Sequence, residues 1–279
     1  MRGVITLEKP GRDIKISVII PLSSKADVDA SLRSLESLQF PKENYEVIIG
    51  IGKCPPSQRN AAAEQARGEI LYFMNGTSQP APDLFDQILG TFDQYPDATV
   101  IGGPDLMPLE GSFFQSLINT ALCSLFAHWK MRARYCPVGA NRFTNEKELI
   151  LSNMAIRRKD FLEVGMFSEK LYPNEENEFM NRIQRSDGKI LYSPELKSYR
   201  PRRHTLSQFV FQFFRYGGGR MAQIWSEGLK QNWVYLLPVL LICGILTTTI
   251  STLPLILLAL YGTIALIDSI SVAVQRNKY

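Results

Sequence analysis

The chain reads as an α/β domain with a doubly wound, mostly parallel sheet, followed by an interfacial amphipathic segment and a two-helix transmembrane hairpin. Three observations predict this. Short β-branched runs alternate with helical stretches as far as position 194, the pattern of stacked βα units. Residues 233–274 hold no Lys, Arg or Glu, and their one acid is Asp268. The 279 residues are 45% hydrophobic and 21% charged, a balance that excludes a disordered chain and leaves room for one large domain or two small ones.

Residues 15–21 (KISVIIP) are apolar on both faces and closed by proline, as a buried parallel strand is. A polar turn follows, and then Val28, Leu32, Leu35 and Leu38 recur at helical spacing up to Phe40-Pro41. Residues 45–51 (YEVIIGI) are a second buried strand and 58–67 an Ala-rich helix. Residues 70–74 are a third strand, 82–92 a helix begun by proline, and 99–102 a fourth strand. From 111 to 145 the pattern is irregular. Phe113, Phe114, Leu117, Ile118, Leu122, Leu125 and Phe126 make an apolar helical stripe, and a basic aromatic piece follows at 129–135. Residues 149–157 read as a strand entering a short helix at 159–164. The acidic PNEENEF opens a helix ending near Arg185, and 190–194 are another strand. The basic run 200–203 is expected to meet anionic lipid, with a phosphate-binding role as the alternative. Residues 205–216 are amphipathic and aromatic, and Gly217-Gly218-Gly219 is expected to break that helix.

Residues 233–249 and 253–274 are two apolar runs separated by Thr248, Ser251, Thr252 and Pro254. At about 1.5 Å per residue each covers roughly 26–33 Å, near the ~30 Å hydrocarbon core. Trp233 and Tyr235 stand where interfacial aromatics belong, and Lys230, Arg276 and Lys278 put both ends on the cytoplasmic side. Asp268 is expected to face the first run or interfacial water. The expected organisation is a cytosolic domain over 1–204, an interfacial segment over 205–232 and a membrane hairpin with a short cytoplasmic tail over 233–279.

A net charge of +4 is too small to argue for nucleic acid. Cys54, Cys123, Cys136 and Cys243 show no CxxC spacing, and His128 and His204 stand alone, so no zinc site is read. The N-terminal MRGVITLEKPGRD has no apolar core and is not a signal peptide, which places the α/β domain in the cytoplasm.

Six stretches then occur in order: SVIIP at 17–21, SLRSLESLQFP at 31–41, QRNAAAEQARGEILYF at 58–73, PAPD at 80–83, SNMAIRRKDFLEVGMF at 152–167 and NEENEF at 174–179. With these, residues 16–220 resemble a family 2 glycosyltransferase of GT-A fold. The resemblance implies inverting transfer of a sugar from a nucleotide-sugar to a lipid-linked or envelope polysaccharide acceptor at a membrane. It also implies a Mg2+ or Mn2+ ion on the diphosphate and a carboxylate base for the acceptor's proton.

Residue by residue, the family's Glu-Asp pair falls on Glu175 and Glu176, with Glu176 at the base position. A structural alternative for both is the acidic first turn of a helix, where carboxylates suit the dipole. The family's Asp-x-Asp falls on Asn75-Gly76-Thr77, which has no carboxylate, so no metal ligand is assigned. The Asp that follows the second strand in the family falls on Gly50-Ile51, and Gly50 and Gly52 leave room without supplying a side chain. Arg59 and Asn60 match a pair near the nucleotide end of the sheet. They join Asn75, Thr77 and Arg215 as the donor-binding set. The sequence QFFRY at 212–216 resembles the QxxRW motif of membrane-embedded synthases and makes Gln212 and Tyr216 acceptor-binding residues, beside an alternative role as a lipid-facing helix.

Two further readings stand beside the enzyme. In one, the chain is a non-catalytic relative that assists another glycosyltransferase or an export subunit. In the other, it is a carbohydrate- or nucleotide-binding module that keeps only an acceptor groove. The missing carboxylates favour the former, and the retained NEENEF and QFFRY favour the enzyme.

Overall fold

The computed structural model describes residues 3–7, 11, 13–24, 28–228, 236–247 and 253–276. They form two compact units: Met1–Ser112 with Lys130–Arg202, and Phe113–Trp129 with Arg203–Tyr279. The apolar stripe at 113–126, expected within the first domain, therefore groups with the C-terminal helices.

The first unit is built on β1 (Gly3–Leu7), β2 (Ile16–Leu22), β3 (Tyr45–Ile51), β4 (Ile70–Phe73), β6 (Ala98–Gly102), β8 (Arg142–Thr144), β9 (Met154–Arg157) and β10 (Lys189–Tyr192). Their order across the sheet is β1-β3-β2-β4-β9-β6-β10-β8. β2 pairs in parallel with β3 and β4, and β10 with β6. β1, β8 and β9 run against their neighbours. A small second sheet joins β5 (Gln79–Pro80), β11 (Ser198–Tyr199) and β7 (Asp105–Leu106).

The direction of β9 departs from the expected parallel run, and the reason is topological. A parallel neighbour needs a crossover that returns the chain to the opposite sheet edge. Here Met154, at the start of β9, lies opposite Gly102, at the end of β6. The chain re-enters at the edge it left and has to run backwards. β1 also went unread, and so did the short strands β5, β7, β8 and β11, because two or three residues carry no periodicity.

Both sheet faces are covered. Ile16, Val18 and Ile20 of β2 join one core with Phe85 and Ile88 of α3 (Leu84–Gln94), beside α1 (Val28–Arg33). Ile19 points the other way. It joins Ala62 and Ala63 of α2 (Pro55–Gln65), Phe161 of α6 (Arg158–Glu163) and Phe179 of α7 (Glu175–Arg185). Alternate residues of one strand thus feed two cores, which is why β2 reads as apolar throughout.

The second unit contains α4 (Phe113–Cys123), α5 (Leu125–His128), α8 (Leu206–Glu227), α9 (Leu237–Leu246) and α10 (Leu253–Arg276). α8 runs unbroken through Gly217-Gly218-Gly219. Glycine costs a helix only about 1 kcal/mol each, so three of them weaken the helix without forbidding it. Among the described residues, one helix is long and apolar enough to cross a membrane, over Pro254–Val272. The first expected arm is described only as the ten residues of α9, so a second crossing is not shown. Lys230, Trp233, Tyr235, Thr248, Ser251, Thr252 and Lys278 lie outside the described residues. Asp268 accepts from the Ser124 hydroxyl, at the α4–α5 junction, rather than from the first run.

Candidate functional site

β2, β3 and β4 all end at one edge, where open α/β sheets bind ligands. α2 starts there with Pro55 and Pro56 in its first turn, where a missing N–H costs nothing. A Cβ on Gly50 would stand 2.5 Å from the Gln58 carbonyl oxygen. The room left by Gly50 is therefore filled by α2 itself. Gln58 is buried there, and its amide donates to Leu22 O at 2.6 Å and Gly50 O at 2.7 Å, tying together the ends of two strands.

One turn further, Arg59 Nη1 meets Glu175 Oε1 at 2.9 Å, and its Nη2 donates to Asn75 Oδ1 at 3.2 Å. The two charged side chains are 6% and 3% exposed. This pair joins α2, the loop after β4 and the first turn of α7, three elements far apart in sequence. Four buried atoms around these elements have no hydrogen-bond partner among the described residues: Arg59 Nε, Glu175 Oε2, Ser57 Oγ and Ser78 Oγ. Burial lowers the Arg59 pKa, and Glu175 and Glu176 oppose that. Burial also pushes the Glu175 carboxyl up to about 7; the Glu176 charge adds to this and Arg59 works against it. Near neutral pH the cluster can therefore hold or release one proton beside a fixed cation.

The other expected site residues are placed as follows. Asn60 clips the Phe167 backbone, donating to its O at 2.8 Å and accepting from its N at 3.0 Å. Glu176 is half-buried, and its Oε1 accepts from Asn177 at 3.2 Å. Thr77 is exposed. Gly76 O accepts from the Ser31 hydroxyl at 3.1 Å, and a Cβ on Gly76 would meet Leu22 at 2.5 Å, so this loop is packed close on β2. Gln212, Arg215 and Tyr216 lie on α8, in the second unit. Gln212 accepts from Arg203 at 2.8 Å and donates to the Tyr216 hydroxyl at 2.8 Å, while Arg215 is exposed. The structure thus joins Arg59, Asn75 and Glu175 directly and gives Asn60 a backbone to hold.

A divalent metal does not fit the Asn75-Gly76-Thr77 loop. The Asn75 side-chain oxygen already accepts from a guanidinium, the loop has no carboxylate of its own, and the Glu175 carboxyl beside it is already paired with that guanidinium. Among the described residues no three His, Cys, Asp or Glu side chains gather as a metal set.

One polar centre was not legible in the sequence. Asp105 is fully buried. It accepts from Ser152 at 2.7 Å and Ser198 at 3.1 Å, and pairs with Arg200 Nε at 2.8 Å. Its backbone oxygen takes Arg202 at 2.6 Å, and that guanidinium lies 5.1 Å from the Tyr135 ring centre. The basic run expected at a lipid surface therefore turns Arg200 and Arg202 inward. A run of arginines was the only signal, and it does not say which way they point.

With this geometry in place, comparison with solved structures shows a GT-A-like fold, similar to that of solved glycosyltransferases. A mannosyltransferase from Pyrobaculum calidifontis, in complex with GDP-Man and Mn2+, matches 96% of this chain and 88% of its own, with a TM-score of 0.57 at 14% identity. Residues 1–349 of S. aureus TarS, in complex with UDP-GlcNAc, match 69% of this chain and 60% of theirs, with a TM-score of 0.50 at 16% identity. At these identities the likeness is one of fold. No protein-family model matches the sequence, and no curated protein does.

Proposed function

We propose that the chain is a membrane-anchored, inverting glycosyltransferase-like protein of family 2 type. It takes a sugar from a nucleotide-sugar to a lipid-linked or envelope polysaccharide acceptor on the cytoplasmic face, held by a two-helix hairpin. The observation that carries this reading is the Arg59–Asn75–Glu175 cluster at the C-terminal sheet edge of a GT-A-like fold. In this reading Arg59 supplies positive charge toward the diphosphate; Asn60, Asn75, Thr77 and Arg215 are assigned to donor binding, and Gln212 and Tyr216 to acceptor binding. Glu176, half-buried in the first turn of α7, takes the acceptor's proton. The acceptor oxygen bonds to the anomeric carbon as the bond from that carbon to the nucleoside diphosphate breaks on the opposite face. Glu175 is held by Arg59 and positions it.

Both solved relatives carry nucleotide-sugars, and the mannosyltransferase also carries Mn2+. Here the loop does not suit a metal, so donor binding is expected to be independent of it. The same observation favours a second reading: with Asn75 and Glu175 already engaged by Arg59, the chain serves as a non-catalytic partner of another glycosyltransferase or an export subunit. Calorimetry on the detergent-purified chain with GDP- and UDP-sugars, with and without Mn2+, separates the two. Donor binding unchanged by Mn2+, with Glu176→Ala binding normally but not transferring, supports the enzyme. Absence of binding to every donor refutes it.

A further inference from the structure

We infer that residues 113–129 are a membrane-inserted element. They enter one leaflet beside α10 and bury their outward apolar face in lipid acyl chains. This adds to the hairpin proposed above, and it rests on α10 lying in a bilayer.

Residues 111–129 hold no Asp, Glu, Lys or Arg, although Glu110 and Lys130 flank them immediately. Surface helices of soluble domains carry charge on their outer face. In sequence this stretch interrupts the sheet domain between β7 and β8, yet it clusters with the C-terminal helices. Both α4 and α5 pack on α10. Phe126 lies against Tyr261 with ring centres 5.0 Å apart, and the buried Ser124 hydroxyl donates to Asp268. Tyr261 and Asp268 are two helical turns apart, so a single face of α10 receives this segment. Ser124 also accepts from Ala127 N at 2.9 Å. One hydroxyl therefore both starts α5 and satisfies the lone acid of α10, which needs an internal partner wherever it sits in lipid.

The opposite side of the segment is open. Phe113 is 80% exposed, Trp129 52%, and Leu117 and Leu125 50% each. On α10, Leu257, Leu260, Ile264 and Ile267 are exposed as well. The packing of α4 and α5 on α10 commits the occupant of their open side to the same acyl chains that surround α10. The 11 residues of α4 span about 16 Å, half of the ~30 Å core, so α4 enters without crossing. Asp268 lies about 12 Å from the C-terminal end of α10, which puts Ser124 in the leaflet at that end.

The test uses the full chain in phosphatidylcholine vesicles with brominated acyl chains. Trp129, Trp225 and Trp233 are replaced by Phe, and a single Trp is introduced as Leu117→Trp, Leu260→Trp or Phe143→Trp. Residue 260 reports on α10, and 143 is a half-exposed position on β8. The expected result is bromine quenching at 117 and 260 at least twofold above that at 143. Quenching at 260 without quenching at 117 overturns this inference and leaves the membrane reading of α10 standing. Quenching at neither overturns both. If the Trp-free chain does not fold, the unaltered protein is labelled with a phosphatidylcholine bearing a photoactivatable acyl chain, and labelled peptides are mapped by mass spectrometry. Label on 113–129 and α10 supports the inference, and label on α10 alone overturns it.

Discussion

Glu175→Gln removes a titrating carboxyl from the buried cluster while keeping an oxygen for Arg59 to donate to. In the native chain burial holds this carboxyl at about 7, against an ordinary 4.5. Between those values the folded chain keeps a proton that the unfolded chain has lost. Stability from this group is therefore greatest near pH 4.5, falls as pH rises toward 7, and levels off above that. At about 1.4 kcal/mol per pH unit, the difference amounts to about 3 kcal/mol. For a unit of this size that corresponds to roughly 6–12 °C in Tm. The assay is thermal unfolding of the detergent-solubilised chain in steps from pH 5 to pH 8.5, read as the wild-type Tm minus the variant Tm. The difference is expected to move against the wild type by about that amount as pH rises. Glu175→Ala, which strips Arg59 of its acidic partner and leaves it only Asn75, is expected to lose stability at every pH, by about 3–5 kcal/mol. If Glu175→Gln keeps the wild-type pH slope, Glu175 is not the group that titrates and the argument from its burial fails.

Three other outcomes are expected from the same unfolding assay. Gln58→Ala removes the side-chain donor to Gly50 O and one of the two donors to Leu22 O, which keeps the Gly52 N–H, and costs about 1–3 kcal/mol. Gly50→Ala drives a methyl into the Gln58 backbone oxygen and costs about 1–3 kcal/mol, an effect no flexible side chain can relieve. Asp105→Asn leaves Arg200 and the two serines facing a neutral amide. Its loss is expected at about 3–5 kcal/mol, and Arg200→Met in the same chain should recover part of it. A loss below 1 kcal/mol for Asp105→Asn would mean that the centre is not charged.

Much of the site's surroundings was legible because it is local. Ile70–Phe73 reads as a strand from its own residues, and the loop that follows it is placed by that strand. Glu175 and Glu176 announce a helix start by composition. What the loop does could not be read. Asn75 lies 16 positions from Arg59, and Glu175 lies 116 from it, and no periodicity carries information over such separations. Asn60, which the resemblance pairs with Arg59 at the nucleotide end, uses both of its polar atoms on Phe167, 107 positions away.

The sequence by itself determined the α/β layering, since strands fed by two cores must be apolar on both faces, and it determined the uncharged C-terminal run, since no folding can add charge to it. The tertiary structure alone decided three things. It sets the Arg59 guanidinium on Asn75, where the resemblance implies a metal-binding carboxylate, turns Arg200 and Arg202 in toward Asp105, and lays residues 113–129 on α10 with Ser124 at Asp268. Each is a pairing of polar groups across distant segments. Such pairings depend on which surfaces meet, and composition records only that the groups exist.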